Sequence, residues 1–235
     1  MNIFELLKKN NLFHFYQPIY HLEENQLFGY EALLRSDHLK SPAHLFKDAM
    51  KSNILYHLDT TSIEKAFSIY RKQHQQEKLF LNVFISTLLN PNFVDFMENL
   101  LFNASKNAPK IVFEMNEAIE EEEMWASSIL LERVAIFRSM GIEFAIDDFG
   151  QGTASLRNTL EIEPEYLKLD RFFAHNLGTS EKKQRLISLF TEYFNKDTTV
   201  VLEGIETASD LQTASDLGID IAQGYYLGKP AEIVS

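Results

Sequence analysis

The pattern that restricts this chain most is an alternation: short apolar runs of strand length recur along it, separated by longer stretches with the period of a helix. A sandwich would show strands in close succession and a bundle would show none, so the alternation predicts repeated strand–helix units. Eight runs qualify as strands: Phe13 to Pro18, Phe28 to Leu34, Leu79 to Val83, Ile111 to Phe113, Phe144 to Asp147, Tyr166 to Leu169, Thr199 to Glu203 and Ile221 to Leu227. Helices are expected at Pro42 to Lys51, Asp59 to His74, after Pro91, and at Glu121 to Met140, Glu181 to Asn195 and Ser209 to Leu217. At 235 residues the chain has the length of one closed α/β barrel and reads as a single domain over 1–235. Only Glu23, Glu24, Asn25 and Gln26 separate the first two strands. That link is too short for a crossover helix, so this pair should run antiparallel and the other six strands should form parallel units.

Composition narrows the function classes. Hydrophobic residues make up 45% of the chain, 19 of them Phe, and 9 Gly and 6 Pro leave little room for linkers. The acid run Glu120 to Glu123 is expected to be a solvated helix start. Cysteine is absent, which excludes disulfides and thiolate chemistry and fits a reducing cytoplasm. The amino terminus does not resemble a secretory signal, and no run approaches the roughly 18 apolar residues of a membrane span. A cytoplasmic chain with no membrane partner is therefore expected. A net charge of −12 argues against a polynucleotide partner, which would need a basic stripe. A small anion remains compatible if divalent cations stand between it and the acids.

In a parallel barrel the carboxyl ends of the strands face one mouth, so polar residues placed there converge although they are distant in sequence. The second strand ends in Glu31 to Arg35, the third in Asn82, the fourth in Glu114 and the fifth in Asp147 and Asp148. The sixth carries Lys168, the seventh Glu203 and the eighth Gln223, while Glu117 and Glu206 each lie three residues past a strand-end glutamate. Each interrupts an apolar run, as in VVLEG, IVFEM and FAIDD, where a buried carboxylate costs several kcal/mol unless it is paired or metal-bound. Oxygen-rich donors without His or Cys select hard cations, so Mg²⁺ or Mn²⁺ is expected. One aspartate of the adjacent pair can bridge two ions about 4 Å apart while its neighbour completes one shell. Lys168 would orient the attacking water or neutralise the phosphoryl charge. The seven histidines show no metal-ligand spacing.

The segments YQPI, YEALLR, DDFGQG, YLKLD, LEGIET and QGYYLGKP occur in the order and at the spacing of the EAL family of cyclic di-GMP phosphodiesterases, which the chain resembles over nearly its whole length. The resemblance implies a modified TIM (β/α)₈ barrel with one antiparallel strand, and hydrolysis of cyclic di-GMP to linear pGpG. It implies a first metal held by Glu31, Asn82, Glu114 and Asp147, and a second held by Asp147, Asp148 and Glu206. Lys168 would contact the nucleophilic water, with Glu203 as general base or as organiser of the metal shell. Gln17, Leu33, Arg35, Asp147 and Gln223 would bind substrate, and Glu117 would brace the loop after the aspartate pair.

The sequence departs from the family pattern at Gln151, Thr153 and Ala154, at Phe84 and Asn116, and in a shorter connection after Arg35. In relatives the loop after the aspartates links the metal site to a dimer interface, so homodimerisation stays open. Two other readings stand beside hydrolysis: a receptor that holds cyclic di-GMP or a protein partner without turnover, and an unrelated metal barrel using lysine as a base.

Overall fold

The computed structural model describes residues 11–36, 42–73, 77–104, 109–115, 119–150, 156–194 and 197–233. Eight strands close a barrel in chain order: β1 (Leu12–His21), β2 (Gln26–Ser36), β3 (Lys78–Val83), β4 (Ile111–Met115), β5 (Glu143–Phe149), β6 (Tyr166–Leu169), β7 (Thr199–Leu202) and β8 (Ile221–Gln223). The tight turn between β1 and β2 is completed by Asn25 in the left-handed region (φ 49°), a conformation asparagine tolerates. That hairpin reverses β1, which runs antiparallel to both β2 and β8, while every other neighbouring pair is parallel.

Around the barrel lie α1 (Pro42–Lys51), α2 (Leu55–Lys72), α3 (Ile85–Leu89), α4 (Asn92–Phe102), α5 (Ser128–Ser139), α6 (Leu156–Ile162), α7 (Arg171–Ala174), α8 (Glu181–Phe194) and α9 (Ala208–Asp216). The short helices α3, α6 and α7 are too brief to show a helical period. The expected helix from Glu121 to Met140 is instead a 3₁₀ segment, Ile119–Ala126, followed by α5. Glu121 explains the break. It is 3% exposed, and its carboxylate accepts hydrogen bonds from the backbone N–H of Ile85 (2.7 Å), that of Ser86 (3.2 Å) and the Ser86 hydroxyl. One acid of the run is thus buried as the cap of α3, not solvated. The eighth strand also stops at Gln223, four residues early. Gly224 packs so closely on Ile205 that an added Cβ would lie 2.1 Å from the Ile205 carbonyl oxygen, and the chain turns there, with the N–H groups of Leu227 and Gly228 returning to the Gly224 carbonyl.

Strand alternation sorts the barrel interior into layers. Ile19, Phe80, Val112, Ala145, Tyr166, Val201 and Ile221 fill its middle as an apolar plate. Beneath the plate, Lys78 pairs with Glu143 and the Tyr166 hydroxyl. Two residues further toward the mouth, on the same face of each strand, come Asn82, Glu114, Asp147, Lys168, Glu203 and Gln223, with Gln17 their counterpart on the reversed β1. Outward-facing residues such as Leu81, Phe113, Ile146, Leu167 and Leu202 join the main core under the helices.

A second buried acid, Asp59 on α2, accepts from the Phe84 N–H at 3.1 Å and is 1% exposed. Burial raises it from 3.8 to about 7, against the opposing Phe84 hydrogen bond. Between those values the folded chain holds a proton that the unfolded chain has lost, so this group's contribution to stability falls as pH rises. Asp59→Asn keeps an acceptor and removes the titration. In urea unfolding between pH 5 and 8, wild type should lose roughly 2 kcal/mol or more relative to the variant, because a one-proton difference between the two states is worth about 1.4 kcal/mol for each step of one in pH. A difference that stays flat with pH would refute this account of Asp59.

Candidate active site

Lys168 stands at the centre of the polar layer. Its side chain is 1% exposed, and Nζ lies 2.5 Å from Glu114 Oε1, 2.7 Å from Glu203 Oε1, 2.9 Å from Asp147 Oδ1 and 3.8 Å from Glu31 Oε2. Asn82 Nδ2 donates to Glu114 Oε2 (3.1 Å) and to Glu31 Oε1 (3.5 Å). Gln223 Nε2 donates to Glu31 Oε2 at 2.7 Å. The strands from β2 to β8 are tied together by side chains that the sequence separates by up to 192 positions.

Strand alternation alone would send Asp147 and Asp148 to opposite faces. The β5–β6 ladder prevents this: Ile146 pairs with Leu167 and Phe149 with Leu169, so two aspartates stand opposite the single residue Lys168. The extra residue is a bulge, and Asp148 takes the left-handed region (φ 53°) to accommodate it. Oxygen atoms of Asp147, Asp148 and Glu203 consequently lie within 4.8 Å of one another.

Five carboxylates, those of Glu31, Glu114, Asp147, Asp148 and Glu203, share this layer, and Lys168 is the one cation that the described residues place within ion-pair distance of them. The surplus of negative charge shows in their proton affinities. Burial, with Glu31 adding to it, holds Glu114 well above the usual carboxylate range. Burial lifts Glu203 to about 8 despite Lys168, and lifts Asp148 to about 6 with a further push from Asp147. Burial would lower Lys168, but Asp147, Glu114, Glu203 and Glu31 together hold it well above its ordinary value, so it is a fixed ammonium. A cluster of oxygen donors carrying several uncompensated negative charges fits hard divalent cations.

Above the layer opens a cavity of about 400 Å³ whose lining includes Gln17, Glu31, Asp148, Glu203, Glu206 and Gln223. Gln17 sits opposite Glu31 in the β1–β2 register and donates to the Gly228 carbonyl at 3.1 Å. Glu206 is exposed at the rim, outside the Asp147–Asp148–Glu203 group. Leu33 and Arg35 do not line this cavity. They lie further along β2 toward its end, where Arg35 Nη1 donates to the Leu34 carbonyl (2.9 Å) and the guanidinium stands 5.8 Å from the Phe15 ring centre. Glu117 and the loop bearing Gln151, Thr153 and Ala154 fall outside the described residues. Asp170 and Arg171, which also line the cavity, were not singled out by the sequence, although both directly follow the strand that carries the lysine.

The model of a family described as the EAL domain matches residues 2–230. Cyclic di-GMP phosphodiesterase TpdA of Vibrio parahaemolyticus is 32% identical over 215 residues, covering 89% of this chain and 35% of that protein. The probable cyclic di-GMP phosphodiesterase PdeG of Escherichia coli is 26% identical over 229 residues, covering 94% of this chain and 45% of PdeG. The chain therefore spans less than half the length of these curated relatives. Among solved structures, the EAL enzyme Bd1971 in its cAMP and cyclic-di-GMP bound form superposes with a TM-score of 0.86 at 26% identity, covering 98% of this chain and 65% of that one. The manganese/cy-diGMP complex of Klebsiella pneumoniae BlrP1, at 24% identity and a TM-score of 0.81 over 94% of this chain and 56% of that one, shares the fold. No helix among the described residues is long and apolar enough to cross a membrane.

Proposed function

The chain belongs to the EAL domain family, and from that premise we propose that it hydrolyses cyclic di-GMP to linear pGpG in the cytoplasm, using two hard divalent cations, Mg²⁺ or Mn²⁺. The observation that carries the proposal is the ring of donors about Lys168: Glu31, Asn82, Glu114, Asp147 and Glu203 share one layer, with Asp148 beside them. Glu31, Asn82, Glu114 and Asp147 would hold one cation. Asp147 and Asp148 would hold the other, with Glu203 the nearest further carboxylate and Glu206 at the rim. When bound, the cations supply Lewis-acid activation of water and neutralise charge on the phosphoryl group.

The chain's own residues divide the remaining work. Lys168, held as an ammonium by its four acids, donates a hydrogen bond to the attacking water or to the phosphoryl oxygens and has no free pair with which to accept a proton. This argues against lysine acting as a base. A carboxylate must take the water's proton, and Glu203, beside Lys168 and with its proton affinity raised to about 8, suits that role. Gln17 and Gln223, which line the cavity, offer amides to the substrate, while Leu33 and Arg35, outside the cavity at the end of β2, would meet only a part of the substrate that extends past its edge.

The test is direct. Pure protein incubated with cyclic di-GMP and Mg²⁺ or Mn²⁺ should yield pGpG, resolved by chromatography. Product should vanish with a chelator and in Glu31→Ala. Tight binding without product would replace hydrolysis by a receptor role, and neither binding nor turnover would sink both.

A further inference from the structure

Beside the carboxylate layer lies a second chamber of about 430 Å³, lined by Asp170, Arg171, Phe172, His175, Gly204 and Glu206. It shares Asp170, Arg171, Gly204 and Glu206 with the 400 Å³ cavity, so the two adjoin along that wall. Arg171 is the one arginine or lysine among the described residues lining either chamber, and it has no ion-pair partner among them. Its backbone is pinned by Gly204 (φ 76°), where an added Cβ would lie 2.2 Å from the Arg171 Cβ. The neighbouring Phe172 is 61% exposed and lines the chamber. The ring is nonetheless held: Lys183 Nζ stands 4.4 Å from its centre, and Phe173 meets it edge-on at 5.5 Å. Lys183 is fixed in turn by the carbonyls of Phe172 and His175, the latter at 2.6 Å.

A guanidinium carried on a pinned backbone and an oriented, exposed aromatic ring, side by side on the chamber wall, are two elements that can recognise a purine, one by its edge and one by its face. The guanidinium fork matches the O6 and N7 acceptors of guanine, whereas adenine presents an amino donor in place of O6. Stacking on an aromatic ring serves any base. A phosphate would use the guanidinium but gain nothing from Phe172. We propose that this chamber is a guanine subsite, taking one base of the cyclic dinucleotide with Arg171 on its O6 and N7 and Phe172 against its face. The assignment rests on the cyclic di-GMP reading and adds to it the residues that select guanine over adenine.

The experiment compares cyclic di-GMP with cyclic di-AMP, by equilibrium binding and by KM in Mn²⁺, for wild type, Arg171→Ala, Arg171→Lys and Phe172→Ala. Arg171→Ala should weaken cyclic di-GMP by about 10- to 100-fold, the range of one bidentate base contact, and leave cyclic di-AMP nearly unchanged, collapsing the guanine preference. Arg171→Lys should collapse it too, since it keeps the charge and loses the fork. Phe172→Ala should weaken both ligands to a similar extent, about 5- to 100-fold. A guanine preference that survives Arg171→Ala, or that Arg171→Lys restores in full, overturns the subsite while leaving hydrolysis intact. Absence of any cyclic dinucleotide binding or turnover in wild type overturns the parent reading, and the subsite with it.

Discussion

Lys168→Met should lower cyclic di-GMP turnover by about 10²- to 10³-fold, the usual effect of removing one preorganised charge from a reacting centre. The ammonium is buried and touches Glu114, Glu203 and Asp147 within 3 Å, so methionine keeps most of its bulk and deletes the charge together with its hydrogen-bond donors. The same change leaves several interior acids without their cation. Breaking a buried ion pair by removing one partner costs about 3–5 kcal/mol, and a loss of that order is expected in urea unfolding without divalent ions. Added Mn²⁺ should return much of the stability, because it replaces the missing positive charge, yet it should not return turnover, because no donor remains where Nζ stood. Steady-state rates and unfolding curves with and without Mn²⁺ decide the matter. Wild-type turnover in the variant would remove Lys168 from the mechanism.

Asp147→Asn is expected to have an effect of similar size on ion binding. In the wild type, Mn²⁺ at about a hundred times its Kd should stabilise the fold by about 2.7 kcal/mol, an upward shift in Tm of about 5 to 10 °C for a chain of this size. Asp147 is the residue proposed to serve both ions; it lies 2.9 Å from Lys168 Nζ, and its carboxylate is within 4.8 Å of oxygens of Asp148 and Glu203. The amide keeps its shape and loses the negative charge, so the Tm shift should nearly disappear and turnover should fall below detection. Thermal unfolding reads the ion without reading catalysis. A wild-type Tm shift in Asp147→Asn would contradict the two-ion assignment.

Most of the barrel was legible because two periods coincide along this chain. Strand–helix repetition announces the fold, and the two-residue strand period places a polar side chain one step above an apolar one, as in Phe80 and Asn82, Val112 and Glu114, or Tyr166 and Lys168. The antiparallel β1 followed from the length of one link. What escaped the sequence depends on contacts between distant segments. Nothing local announces the bulge that turns Asp148 to the same side as Asp147. Glu121 cannot be told from its acidic neighbours until Ile85 and Ser86 arrive to be capped. Arg171 and Phe172 carry no period at all in a helix of four residues. Their relevance appears only when Gly204, at the end of the next strand, presses against Arg171 and both line one chamber.

The apolar plate under the polar layer gives the barrel a sealed bottom. Anything reaching Lys168 must arrive through the opening above it and depart the same way. A dinucleotide seated there would cover any ions held in the layer beneath, and would then have to leave before them.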